Sequence, residues 1–161
     1  MSLKPSPLQK LFHQFFMLSP VTAFFAPWVH YLDRASLTLT KGNFAVTGIL
    51  GWNIVQLTTV GVKTGQYRTT PLVALFDSEK IALIASSFGR EHHPGWYYNL
   101  KANPECEVQY RGHWMSYIAH EADGDEREKY WQLALSYYAG YENYKARAGR
   151  RIPVMVLEPK R

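Results

Sequence analysis

The sequence predicts a mainly β domain with helical additions (α+β), its strands antiparallel and curled into a barrel. Three observations carry that expectation. About six short β-rich runs follow residue 41, separated by glycine, proline and polar turns that make most neighbours hairpin partners. No strand–helix–strand alternation occurs, which argues against a parallel, doubly wound sheet. With 161 residues, 47% of them apolar, the chain suits a single domain that buries roughly 70% of its extended surface.

Composition shifts at Lys41-Gly42-Asn43, which sets residues 1–40 apart as an N-terminal helical arm and leaves 41–161 as the barrel domain. Residues 11–32 carry no Asp, Glu, Lys or Arg, a length close to the ~20 residues of a membrane-spanning helix. Pro20 and Pro27 would each interrupt that helix, and His13, Gln14 and Ser19 would meet lipid, so a span is disfavoured. A signal peptide fits no better, because only Lys4 and Lys10 precede the stretch. Two readings of this Phe-rich arm stay open. It packs on its own domain or a homodimer mate, or it makes peripheral contact with lipid at a membrane surface.

Within the barrel domain, residues 54–60 form the first strand, and Gly61 to Gln66 a glycine-bounded turn. Residues 68–76 form a second strand, whose Pro71 requires an edge or a bulge. A polar hairpin at residues 77–80 leads into a third strand over 81–86. A helix starts at Pro94, where proline is tolerated, and ends before Asn103-Pro104. Two strands, 105–110 and 113–119, flank the turn at Arg111-Gly112. Asp123-Gly124-Asp125-Glu126 resembles a capping box opening a helix through Tyr137. A shorter helix after Gly140 stops at Gly149, and residues 152–157 close the chain as a last strand.

The net charge of +5 favours anionic partners through the long-range field. The basic residues form no stripe interleaved with aromatics, so nucleic acid is not an expected partner. The single cysteine, Cys106, excludes an internal disulfide framework and a Cys-based zinc cage, and suits a reducing, cytoplasmic setting, peripheral at the inner membrane face if the arm contacts lipid. No Gly-x-Ser-x-Gly, Cys/His pair or close carboxylate pair is present, and His92-His93 lack the partners of a metal site.

Three segments carry the remaining chemistry. The turn through Lys63, Thr64, Gly65 and Arg68 offers two cations, hydroxyls and glycines that admit a ligand to the backbone, the parts of a phosphate or carboxylate clamp. An ordinary hairpin turn with solvated cations uses the same residues. Ser86 and Ser87 lie where a strand ends, a position at which hydroxyls and amides face a ligand. Trp96 and Asn99 share one face of the following helix. Tyr138, Tyr141 and Tyr144 recur at i, i+3, i+6, so a helical segment would align them; such stripes usually fill cores, while three inward phenols need hydrogen-bond partners, which leaves a polar-lined pocket as the second reading.

These segments, in this order, resemble the deazaflavin-dependent nitroreductase family. Its members are F-420-dependent oxidoreductases with a split β-barrel like that of FMN-binding flavin reductases. The resemblance runs from Ile54 to Pro159 and is most specific in HPGWYYNLKANP, with support from LTTVGVKTGQYRTTPLV and GRRIPVMVLEP. It implies that coenzyme F-420 (8-hydroxy-5-deazaflavin) is held by Lys63, Thr64, Gly65 and Arg68 at its phosphate and acidic tail. Pro71 and Leu72 would then pass beneath the ring, with Ser86, Ser87, Trp96 and Asn99 bordering it. Tyr138, Tyr141, Tyr144 and Ser86 match residues that face or protonate the acceptor, a small quinone, nitro compound or activated alkene. Val62 departs from a common Arg or Lys, and Ser87-Phe88 from a common Lys-Gly; the lost cations weaken the grip on a polyanionic tail, with Arg90 as a nearby replacement. The alternatives are an FMN-dependent flavin reductase on the same barrel and a non-catalytic carrier of cofactor or fatty acid.

Overall fold

Alternation of buried and half-exposed residues identifies the first strand, β1 (Ile54–Val60). Its Val55, Leu57 and Thr59 are buried while their neighbours are partly exposed. The computed structural model describes residues 52–161 and a helical pair at 35–36; the predicted arm and the domain's first residues otherwise lie outside the described residues. The other strands are β2 (Tyr67–Val73), β3 (Leu75–Asp77), β4 (Lys80–Ile84), β5 (Glu105–Tyr110), β6 (His113–Glu121) and β7 (Val154–Pro159). They form one sheet in the order β2-β1-β5-β6-β7-β4-β3, antiparallel at every pairing. The split, antiparallel β-barrel expected from the sequence is the observed architecture.

The predicted second strand, residues 68–76, is in fact two, so the described strands number seven rather than about six. The break falls at Ala74, which is fully buried and donates its N–H to the Asn53 carbonyl at 2.8 Å. This single residue joins β2 at one edge of the sheet to β3 at the other. Consecutive Cα atoms are only about 3.8 Å apart, so the sheet has to curl until its edges meet at Ala74. Pro71 lies in edge strand β2, opposite Gln56, where its missing N–H costs no ladder bond on the open side.

β4 and β7 read as unbroken apolar runs because they are covered on both faces. Ile81, Leu83, Met155 and Leu157 point into the barrel, joined by Val55, Leu57 and Val108. Ala82, Ile84, Val154 and Val156 face the opposite way, under the helices. Helix α1 (Gly95–Ala102) sends Trp96 and Leu100 into the barrel cluster. Helices α2 (Gly124–Tyr137) and α3 (Gly140–Ala148) cover the other face with Tyr130, Trp131, Ala134, Tyr141 and Tyr144.

One local expectation is corrected. The capping box does not form: Asp123 makes no side-chain cap bond, and Gly124 takes φ +47, which takes the first turn off the regular helical path. Asp125 and Glu126 still lie in the first turn, where they favour the helix dipole. The break expected between a helix through Tyr137 and one after Gly140 is present, so the tyrosine stripe is not one helix. Tyr138 ends α2 in an extended conformation (φ −151), and only Tyr141 and Tyr144 share α3. Among the described residues no helix is long and apolar enough to cross a membrane.

Candidate active site

A cleft of about 1250 Å³ opens between the β1–β2 turn, the turn after β4, helix α1 and the start of α3. It is at the large end of ligand clefts, which run from roughly 300 to 1,000 Å³. All but one of the residues singled out from the sequence line it: Lys63, Thr64, Arg68, Pro71, Leu72, Ser86, Ser87, Trp96, Asn99, Tyr138, Tyr141 and Tyr144. Gly65 does not. It closes the turn, donating to the Gly61 carbonyl at 2.7 Å at a φ of +67 that favours glycine.

The β1–β2 turn is built before any ligand arrives. Gly61 N–H donates to Gln66 O at 2.8 Å, and a Cβ on Gly61 would press on Thr64 Oγ1 and Gln66 O, at 3.0 and 3.1 Å. Asn99 anchors the turn from α1. Its side-chain oxygen accepts from Val62 N–H at 3.1 Å, and its amide donates to the buried Thr59 hydroxyl at 2.9 Å. Both ends of the Asn99 amide are thus engaged by protein, and its place in the cleft wall is that of a strut. Lys63, Arg68 and Arg90 project into the cleft, and none takes part in an ion pair among the described residues. Lys101, farther along α1, is paired with Glu121 at 3.1 Å.

Opposite, residues 86–89 make a tight turn in an unusual conformation. Ser87, Phe88 and Gly89 all have positive φ, at 49°, 56° and 79°. A left-handed residue costs roughly 1–2 kcal/mol when it is not glycine, so Ser87 and Phe88 hold strain that neighbours must offset. The offset comes from α3 and the residues just after it. Arg147 donates to Phe88 O at 3.2 Å, while Arg150 reaches Arg90 O and His92 O at 3.2 Å and Ala85 O at 3.4 Å. Gly89 lies against the Tyr144 backbone, where a Cβ would sit 3.1 Å from Tyr144 O. The amides of Ser86, Gly89 and Arg90 are consumed inside this segment, by Ile84 O, Ser86 O and Ser87 O, and do not face the cleft as the sequence suggested. The Ser86 side chain makes no capping bond.

Tyr138, Tyr141 and Tyr144 converge although they belong to different elements. Their ring centroids are 5.7–6.0 Å apart, two of the three pairs edge to face. Gly140 permits this, since any Cβ there would overlap the Tyr138 ring. The Tyr144 and Tyr138 hydroxyls are hydrogen-bonded to each other, and burial pushes all three phenols above the ordinary tyrosine range. Among the described residues, no side-chain hydrogen bond contributes to the Tyr141 shift. The cleft therefore presents Lys63 and Arg68 at one wall and protonated phenols at the other, with Arg90 following the turn on the phenol side. Sequence reasoning missed Arg147, Arg150 and Gly140, and the only local hint was the basic run Gly149-Arg150-Arg151.

A family model described as F-420H(2)-dependent quinone reductase matches residues 33–159. An F-420H(2)-dependent quinone reductase of Mycobacterium tuberculosis (strain H37Rv) is 38% identical over 104 residues, covering 63% of this chain and 70% of that protein. Among solved structures, an F-420-H2-dependent reductase (FDR-A) superimposes with a TM-score of 0.61 at 40% identity, over 66% of this chain and 94% of that one. A domain-swapped dimer gives a TM-score of 0.63 at 35% identity, over 83% and 98%.

Proposed function

Because the chain belongs to the F-420H(2)-dependent quinone reductase family and is an F-420-dependent oxidoreductase, we propose that this cleft is where its acceptor is reduced, and that the acceptor is a quinone, with nitro compounds and activated alkenes as further candidates. The residues present fit the cofactor. A flat ring finds apolar support in Pro71 and Leu72, and a phosphate with an acidic tail finds Lys63, Arg68 and Arg90, cations without acidic partners among the described residues. When bound, reduced F-420 supplies a hydride, which no side chain can donate. Quinone reduction needs one proton besides that hydride, and the charge developing on the acceptor oxygen needs a donor.

Tyr141 is the residue we assign to that oxygen. Burial keeps its phenol protonated well above neutral pH, and no side-chain hydrogen bond among the described residues contributes to that shift. Tyr144 and Tyr138 form a hydrogen-bonded pair beside it, and Ser86 lines the same cleft with a further hydroxyl. The observation that carries this reading is the meeting, in one cleft, of three cations outside any ion pair among the described residues with a buried, protonated phenol. Two measurements test it. Titration with oxidised F-420 and with FMN, followed by fluorescence, is expected to show binding of the first in preference to the second. Tyr141→Phe is expected to lower turnover by ~10²–10⁴-fold while F-420 still binds. A full rate in Tyr141→Phe with several quinones would remove the assignment. The described residues leave the N-terminal arm outside, and the homodimer remains a proposal supported by the domain-swapped dimer among the structural matches.

A further inference from the structure

Along the inward row of β1, Val55 and Leu57 are followed by Thr59, a hydroxyl where the alternation calls for a third apolar side chain. Valine has the same branched shape, so packing alone does not ask for that oxygen. Thr59 is only 2% exposed, and its hydroxyl is spent on the Asn99 amide, itself buried. The Asn99 nitrogen donates to Thr59 Oγ1 at 2.9 Å, and the Asn99 oxygen accepts from Val62 N–H at 3.1 Å. This orientation is forced. A backbone N–H can only donate, so the oxygen end of the amide has to face Val62, and the nitrogen end then needs an acceptor on its other side. Thr59 supplies it. Thr59 lies opposite Arg68 in the β1–β2 register, and Lys63 directly follows Val62. One side-chain amide thus ties the strand end beside one cation to the turn beside the other.

We infer that Thr59 is a positioning residue for cofactor binding: through Asn99 it holds the turn that carries Lys63 ready for the anionic part of F-420. This rests on that turn being the anion clamp of the cleft. Without the hydroxyl, the Asn99 nitrogen is left buried with no acceptor, an arrangement that folded proteins avoid. The amide relaxes toward another acceptor, and its oxygen leaves Val62. The turn then has to be ordered by the ligand as it binds, which weakens affinity. Thr59 is not among the residues that line the cleft, so the reaction on bound cofactor is untouched.

The test measures F-420 affinity by fluorescence, kcat with a quinone at saturating reduced F-420, and hydrogen exchange at the Val62 amide. Thr59→Val is expected to weaken F-420 binding about fivefold and to speed Val62 exchange by a similar factor, the effect of losing about one hydrogen bond. At saturating cofactor kcat stays as it was. Thr59→Ser keeps the oxygen and restores both affinity and protection. Added to Asn99→Leu, Thr59→Val costs no further affinity, because both act through one amide. Thr59→Ala gives the same comparison if the valine variant does not fold. A lower melting temperature in Thr59→Val with unchanged affinity and unchanged Val62 exchange overturns the inference. So does an affinity in Thr59→Ser as weak as in Thr59→Val. Failure of the unaltered protein to bind F-420 would instead overturn the functional reading beneath it, and Val62 exchange, which needs no cofactor, would still decide whether Thr59 holds the turn.

Discussion

Replacing Arg150 by alanine should open the turn that carries Ser86 without unfolding the barrel. The guanidinium reaches four carbonyls of residues 85–92: Arg90 O and His92 O at 3.2 Å, Ala85 O at 3.4 Å and Ser86 O at 3.5 Å. The last two are too long to count for much. The two shorter bonds contribute about 1 kcal/mol each in this partly exposed setting, or ~2 kcal/mol together. Against that stands the left-handed backbone of Ser87 and Phe88, which costs roughly 2–4 kcal/mol for the pair. Without Arg150 the strain is still opposed by Arg147, by the packing of Gly89 on Tyr144 and by the Phe88–Tyr144 ring contact. The amides to watch are Gly89 and Arg90, whose N–H groups bond Ser86 O at 2.9 Å and Ser87 O at 3.1 Å. A loss of ~2 kcal/mol in local stability corresponds to roughly 30-fold faster hydrogen exchange at those two positions. Exchange in the β1–β5 ladder should stay as it was, and the melting temperature should fall by a few degrees at most. Arg150→Lys should fail to restore protection, because an ammonium cannot span several carbonyls as the planar fork does. Unchanged exchange at Gly89 and Arg90 in a folded Arg150→Ala protein would refute the reasoning and assign the turn's stability to packing alone.

Three further outcomes are expected. Lys63→Ala should weaken F-420 binding a few-fold and flatten its salt dependence, since an exposed cation contributes up to ~1 kcal/mol; titration at two ionic strengths checks both. Gly140→Ala should destabilise the protein by ~1–3 kcal/mol in thermal melts, because the new methyl has to displace the Tyr138 ring, and it should lower quinone turnover as well. Asp77 accepts hydrogen bonds from Lys129 and Tyr130, which hold its carboxyl below the usual range. Its contribution is present above the unfolded carboxylate pKa and is lost as pH falls through the lower folded value. At this partly exposed site it is worth under ~1 kcal/mol, so Asp77→Asn should reduce the slope of stability against pH below about 4.

Most strands were legible in the sequence because each alternates, or is bounded by turn residues whose conformation only glycine or proline favours. The cleft lining was legible for a related reason. Residues 61–68, 86–99 and 138–144 are contiguous stretches, and each contributes several side chains at once. What stayed hidden depends on contacts across the chain. Arg150 lies about 60 positions from the carbonyls it holds, and the short basic run around it does not say what it reaches. The close approach of the Tyr138 ring to Gly140 follows from how the chain turns between α2 and α3; the sequence marks the break but not the direction of the turn. The division of residues 68–76 at Ala74 follows from barrel closure, a property of the whole sheet.

The two walls of the cleft take their positions from different parts of the core, and this separates binding from chemistry. The cationic turn is tied by Asn99 to α1, and α1 is fixed by Trp96 and Leu100 inside the barrel. The phenols belong to the outer cluster, with Trp131 against Tyr141 at 6.3 Å and with Ala148 of α3 and Ile152 in the same cluster. The clusters share the sheet, where β4 and β7 send alternate residues into each. Truncating Leu100 therefore loosens Asn99 and the turn it anchors, and its effect should fall on cofactor affinity. Truncating Trp131 removes the support behind Tyr141 and should fall on turnover. A barrel closed by one residue at Ala74 makes this division workable, because the strands hold the walls in register while each wall is adjusted from its own side.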